Sequence, residues 1–360
     1  MLRIGNHFSG SYRAITAKEA TIRQAYDRLK AYQRLEDGLL FYSKVPHMMA
    51  IREARENFPV PISIDFPQFE RISSYLANSY VVSKFELEHS ALPKLFYLDR
   101  GGIDYLVYNF ETDRTEAKQL ISEEFIFPKL CGFAVLPYQS VFLTGGKVRN
   151  SLGVTDLAFM FSPEHGRITK VANMRNRRAA HICLYANKAV FALSGKTEGG
   201  NTPECEIYSM KTGIWTDIAP VNISRRCASG THFNGKIYVF GGFHEQEEDS
   251  IEAYSIDSNV WELLPSKLPI RLWKHSSCLI GGSEVLIFGG ESTNREVNTQ
   301  SVICNLETVS FSETAKLPMQ TKWQSCWLHV ALKGKVLYTM GRKGRIWKYA
   351  IDSKEWSSFK

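Results

Sequence analysis

No Cys-x-x-Cys pair occurs among the cysteines of this sequence, and their number, seven, is odd; both facts disfavour a disulfide framework and a compact structural zinc site as organising devices. Nor is there an apolar run of about 18 residues, the minimum for a bilayer-spanning helix. The opening residues Met1-Leu2-Arg3-Ile4-Gly5-Asn6-His7 lack the apolar core of a secretory signal. The expectation is a cytoplasmic protein with reduced thiols and no membrane contact. The sequon Asn222-Ile223-Ser224 is then chemically idle. Nucleophile elbow, P-loop and dinucleotide fingerprint are all missing. Charge of one sign is also scarce: 44 Lys and Arg against 37 Asp and Glu give +7 without a dense basic run, too little to predict nucleic-acid binding. What remains is an ordinary globular composition, 44% hydrophobic and 22% charged over 360 residues, enough for one large domain and a smaller segment.

An internal repeat is present. An aromatic residue is followed seven positions later by Trp at Tyr208/Trp215, Tyr254/Trp261 and Tyr349/Trp356. Degenerate copies are Phe161/Ile168, Cys304/Phe311 and Tyr108/Thr115. The first members, at 108, 161, 208, 254, 304 and 349, are 53, 47, 46, 50 and 45 residues apart. Glycine doublets keep the same beat, each after a short apolar run: Gly145-Gly146, Gly241-Gly242 and Gly289-Gly290, with Ser194-Gly195 and Met340-Gly341 as variants and Gly101-Gly102 displaced by two residues. Glycine suits a position where a strand ends in a tight turn or a backbone approaches closely. Each unit therefore reads as four strands. Strand a is small and mixed, b is the doubly buried apolar run, c carries the first aromatic, and d begins at the Trp. Four strands per such period is the unit of a propeller blade.

The doublet, the spaced Tyr and Trp, and the period resemble kelch repeats over about residues 80–360. The expected fold is all-β, a six-bladed kelch-type β-propeller, with the repeated aromatics packed between blades. Residues 1–79 lack the repeat. There Thr16-Ala17-Lys18-Glu19 has the form of a capping box and predicts a helix to about Asp37. Its stripe of Ile22, Ala25, Tyr26, Leu29 and Tyr32 either packs on the propeller or pairs with a second copy as a short coiled coil. A second helix is predicted over residues 48–57. Neither a BTB nor an F-box signature accompanies the repeats.

In a four-stranded meander the b–c loops and d–a connections emerge on one face. The b–c loops are the longer ones here (Lys147–Val154, Lys196–Glu204, Phe243–Ser250, Glu291–Asn298), and loops on a rigid scaffold concentrate binding residues. The resemblance implies that this face holds a protein partner. Counting 17 residues back from the second glycine aligns Lys129, Arg178, Arg225, Trp273 and Gln324, with Arg175, Arg226, Lys274, His275 and Trp323 close by. The sequence thus predicts a site for an acidic segment of a partner at Lys129, Arg175, Arg178, Arg225, Arg226, Trp273, Lys274, His275 and Trp323, the Trp as apolar anchor. Pairing within the face to Glu245, Glu247, Glu248 and Asp249 is the competing use of those cations. Two places deeper lie Cys131, Ala180, Cys227, His275 and Cys326. They come from different blades, so they read as channel filling rather than metal ligands, and neither metal nor cofactor is expected. The chain reads as a scaffold or adaptor, not an enzyme. The alternative is a kelch-like enzyme acting on carbohydrate, of epimerase or oxidase type.

Overall fold

The apolar b runs are the most deeply buried strands. Val141–Thr144, Ala189–Leu193, Ile237–Phe240 and Val285–Phe288 are buried at every position, as strands covered on both faces must be. The computed structural model describes residues 95–98, 102–110, 112–121, 125–137, 140–148, 153–318, 330–340 and 344–359. The helices expected in residues 16–37 and 48–57, the coiled coil and Trp323 lie outside them.

The described residues belong to one unit, Leu92–Lys360, and form six antiparallel sheets in sequence order, the blades of a propeller, beside one short two-stranded hairpin, Lys196–Thr197 with Gly200–Asn201. Blade 1 shows three strands, Leu95–Leu98, Asp104–Asn109 and Arg114–Gln119. Blades 2 to 6 each show four, spanning Gly132–Lys170, Ile182–Ile218, Ser229–Lys267, Ser276–Thr314 and Val330–Phe359. The ring closes where Leu95 and Tyr108 of blade 1 pack on Ala331, Met340 and Ile346 of blade 6. There Phe110 meets Tyr338 edge-on at 4.8 Å.

All six aromatic-repeat pairs sit directly opposite one another on strands c and d, from Tyr108↔Thr115 to Tyr349↔Trp356. A cross-strand pair seven residues apart brings two rings to one side of the sheet. Accordingly Tyr254 and Trp261 lie 5.0 Å apart and both join a core shared by blades 3 and 4.

The inner ends of the blades are tied by a belt of backbone bonds. Ala180 donates its N–H to Leu130 O at 2.7 Å, Cys227 to Ala180 O at 2.8 Å, and Lys274 to Cys227 O at 2.7 Å. All four residues are left-handed, with φ of 56, 52, 55 and 57°, and this strained conformation recurs because the belt demands it of blades 2 to 5.

Next to the belt, His181 and His275 are wholly buried and fill the space opposite the first doublet glycine of the preceding blade. A Cβ on Gly145 would press on the backbone oxygen of Arg178, and one on Gly241 would lie 2.5 Å from that of Leu272; either would also lie 3.1 Å from the imidazole Cε1. The corresponding pair for blades 3 and 4 is Ser194 with Ala228, so a larger residue on one side goes with a smaller one on the other. Ser194 also adopts φ +55°, so this backbone accepts a side chain. Gly241→Ser is expected to destabilise the chain by about 1–3 kcal/mol through overpacking, first against Leu272 O, 2.5 Å from the new Cβ, and then against His275. Adding His275→Ala should show favourable coupling of about 1 kcal/mol or more in a urea-denaturation double-mutant cycle. Strict additivity would show that the Leu272 carbonyl, not His275, sets the cost of a side chain at position 241.

Candidate partner-binding face

Backbone bridges join each d–a connection to the residue after the second glycine. The pairs are Lys129↔Lys147, Ala179↔Lys196, Arg226↔Phe243 and Trp273↔Glu291. These pairings correct the alignment obtained by counting. Lys129 and Trp273 are equivalent to Ala179 and Arg226, not to Arg178 and Arg225. In blade 5 the a–b hairpin carries a register shift between Leu279 and Gly281, and one extra residue reverses which side chain faces inward.

Arg178 and Arg225 turn inward and are 0% exposed. Arg178 Nη2 pairs with Glu206 Oε1 at 2.7 Å, and its Nη1 donates to Ser194 O and Glu204 O. Arg225 repeats the pattern one blade on: Nη2 to Glu252 Oε1 at 2.6 Å, Nη1 to Gly241 O and Ser250 O. Each carboxylate also accepts backbone N–H bonds from the incoming connection, of Arg175 and Asn176 for Glu206 and of Asn222 and Ile223 for Glu252. Asn222 of the sequon further donates Nδ2 to Glu252 Oε2 at 2.9 Å. These arginines latch each connection to its own blade, and their donors are turned away from any partner.

The remaining predicted site residues divide. Arg175 is exposed and pairs with Asp217 at 2.8 Å. Lys129 is exposed beside Lys147, also exposed. Trp273, 9% exposed, packs with Ala180, Cys227, Leu130 and Phe243, residues of blades 2 to 4. It therefore forms part of the floor of the channel mouth rather than a projecting anchor. Lys274 lies 3.8 Å over the Trp273 ring and pairs with Glu291 at 2.9 Å. His275 is fully buried, and burial pushes its pKa down to about 3, so it stays neutral and inside. Trp323 lies outside the described residues. Pairing within the face does occur: Asp249 holds Lys267 at 3.4 Å and Arg271 at 3.7 Å.

Counting missed Lys147, Lys196 and Phe243. They were accessible as the residue after the second glycine, the position the bridges bring onto the mouth. Among the described residues there is no group of three or more His, Cys, Asp or Glu side chains placed to hold a metal ion, and no helix long and apolar enough to cross a membrane.

The Kelch motif model matches residues 224–268, which is blade 4 with its incoming connection. Kelch-like protein 25 of Xenopus tropicalis is 24% identical over 56% of this chain and 34% of its own length. Kelch domain-containing protein 2 of Bos taurus is 27% identical over 39% of this chain and 36% of its own. Kelch-like protein 38 of Homo sapiens is 22% identical over 61% of this chain and 38% of its own. The chain thus spans about a third of the length of these curated relatives. It carries a Kelch motif in blade 4 and is similar in part to kelch-repeat proteins, in keeping with its glycine doublets, opposed aromatic pairs and six blades.

Proposed function

We propose that the chain is a protein-interaction module, a scaffold or adaptor, and that its loop-rich face holds an acidic segment of the partner. One observation carries the reading. Lys129, Lys147, Lys196 and Arg226 all lie on the backbone bridges between d–a connection and b–c loop in three successive blades, and among the described residues none of them forms an ion pair. The other cations there, Arg175, Arg271 and Lys274, are answered by Asp217, Asp249 and Glu291. An unanswered cluster of one sign favours encounter with a partner of the opposite sign. Kinship with kelch-like proteins supports an interaction role, and no observation favours the carbohydrate-enzyme alternative.

The test compares two charge reversals in the intact chain, both checked for an unchanged melting temperature. Lys129→Glu with Lys147→Glu alters the loop-rich face. Lys188→Glu with Lys236→Glu alters the exposed a–b turns at the opposite end of the blades. Proteins retained from a cell extract and quantified by mass spectrometry should be lost with the first pair and kept with the second. Loss with the second pair alone, or with neither, removes the loop-rich face from consideration.

A further inference from the structure

Six arginines lie in the d–a connections that lead into blades 3, 4 and 5. Five face a carboxylate: Arg175 faces Asp217, Arg177 faces Asp156 at 4.0 Å, Arg178 faces Glu206, Arg225 faces Glu252, and Arg271 faces Asp249. Arg226 alone among them does not. Its guanidinium is nevertheless fixed, by neutral groups only. The carbon at its centre lies 4.2 Å over the Phe243 ring, and Nη1 donates to Asn201 Oδ1 at 2.9 Å. Asn201 in turn donates Nδ2 to Phe243 O at 2.8 Å and His244 O at 3.3 Å, which fixes the amide with its oxygen toward Arg226.

The support continues on both sides. Arg226 and Phe243 exchange backbone N–H bonds at 3.0 and 2.8 Å, and the Phe243 ring packs tilted against Trp273 with centroids 5.2 Å apart. Asn201 sits directly opposite Lys196 in the short hairpin of Lys196–Thr197 with Gly200–Asn201, so both side chains stand on the same face of that hairpin. The result is a stacked, oriented, half-buried fork whose Asn201 partner is paired across a hairpin with Lys196, and among the described residues neither cation forms an ion pair. A guanidinium fork matches a planar carboxylate with two parallel bonds. Holding it in place beforehand removes most of the ordering cost of binding.

We propose that Arg226, held on Phe243 and steered by Asn201, forms with Lys196 the receptor for an aspartate or glutamate side chain of the partner segment. This rests on the interaction-module reading above and narrows it to one pocket and one chemical group. Carboxylate is favoured over phosphate because a single fork satisfies both oxygens of a planar carboxylate with two parallel bonds, whereas the three acceptor oxygens of a phosphoryl group call for more donors than one fork supplies. The two cations could balance either charge, and a phosphoserine peptide separates the two.

The experiment uses the intact chain and fluorescein-labelled decapeptides of alternating Glu and Gly, Gln and Gly, or phosphoserine and Gly, read by anisotropy. The Glu peptide is expected to bind and the Gln peptide not. Arg226→Met, which keeps the stem over Phe243, should weaken the Glu peptide roughly tenfold or more, the effect of one charged hydrogen-bonded contact. Lys196→Met should weaken it several-fold, and Arg226→Lys should fail to restore wild-type binding because it lacks the fork. Lys129→Met should change it less than about twofold, since its charge acts only at a distance. All variants should melt with the wild type. The receptor is overturned if Arg226→Met binds normally, if Arg226→Lys equals the wild type, or if the phosphoserine peptide binds better than the Glu peptide. Absence of any Glu-peptide binding also overturns it. The face reading stands or falls separately, on the Lys129 and Lys147 reversal.

Discussion

Trp261→Ala is expected to lower the stability of the propeller by about 3–5 kcal/mol, the usual cost of emptying a buried Trp site. The indole is 8% exposed and packs where blades 3 and 4 meet, with Phe191, Leu193, Ile237 and Val239. Its Nε1–H also donates to Ala219 O at 2.8 Å, in the connection that enters blade 4. Truncation therefore leaves a cavity and an unpaired carbonyl in the same place. Trp215 repeats the bond to Ala172 O at 2.8 Å and should behave alike. The equivalent Ile168 is only half-buried, so Ile168→Ala should cost less. Against a typical total of about 5–15 kcal/mol, the loss should show as a large fall in the urea midpoint. An unchanged midpoint would show that this position does not hold the two blades together.

The blades were legible because the signals that mark them are local. A seven-residue spacing across a tight turn places Tyr254 opposite Trp261 whatever the rest of the chain does. An apolar run before a glycine doublet has only a doubly covered strand to occupy. Even the degenerate pairs followed, Cys304 opposite Phe311 and Tyr108 opposite Thr115, since backbone pairing does not require the aromatic.

The site was less legible because it depends on register. Arg225 and Arg226 are neighbours, and in extended chain neighbours point to opposite sides. One is locked inside on Glu252 and the other lies over Phe243 at the mouth. Counting from the glycines aligned Arg225 with Trp273, one residue off, since the extra residue in the a–b hairpin of blade 5 sits between the two landmarks. A signal that separates the two arginines does exist. Glu206 and Glu252 each stand two residues before the strand c aromatic. They occur in the two blades with an inward Arg, whereas blade 5 has Val302 opposite Leu272.

That covariation supports the second large effect. Glu252→Ala is expected to destabilise the chain by about 3–5 kcal/mol, because it leaves Arg225 buried without its counter-charge. It also strips the N–H groups of Asn222 and Ile223 of the carboxylate that now accepts them at 2.7 and 3.1 Å. Blade 5 performs the same job without charge. Leu272 and Val302 stand at the Arg and Glu positions, both buried in one apolar cluster. Pro269 replaces Asn222 and has no N–H to satisfy. Asn298 Nδ2 donates to Gly289 O at 3.0 Å and Gln300 O at 2.9 Å, the two carbonyls equivalent to those Arg225 holds. Charged and uncharged latches thus differ as complete sets, as expected when half of a buried polar network is worse than none. Grafting the blade 5 set into blade 4 as Asn222→Pro, Arg225→Leu, Glu248→Asn and Glu252→Val should recover most of the stability lost in Glu252→Ala. Urea midpoints of the wild type, the single variant and the graft decide it. A single variant as stable as the wild type would show that the buried pair contributes nothing. A graft less stable than the single variant would show that the blade 5 latch depends on packing that blade 4 does not supply.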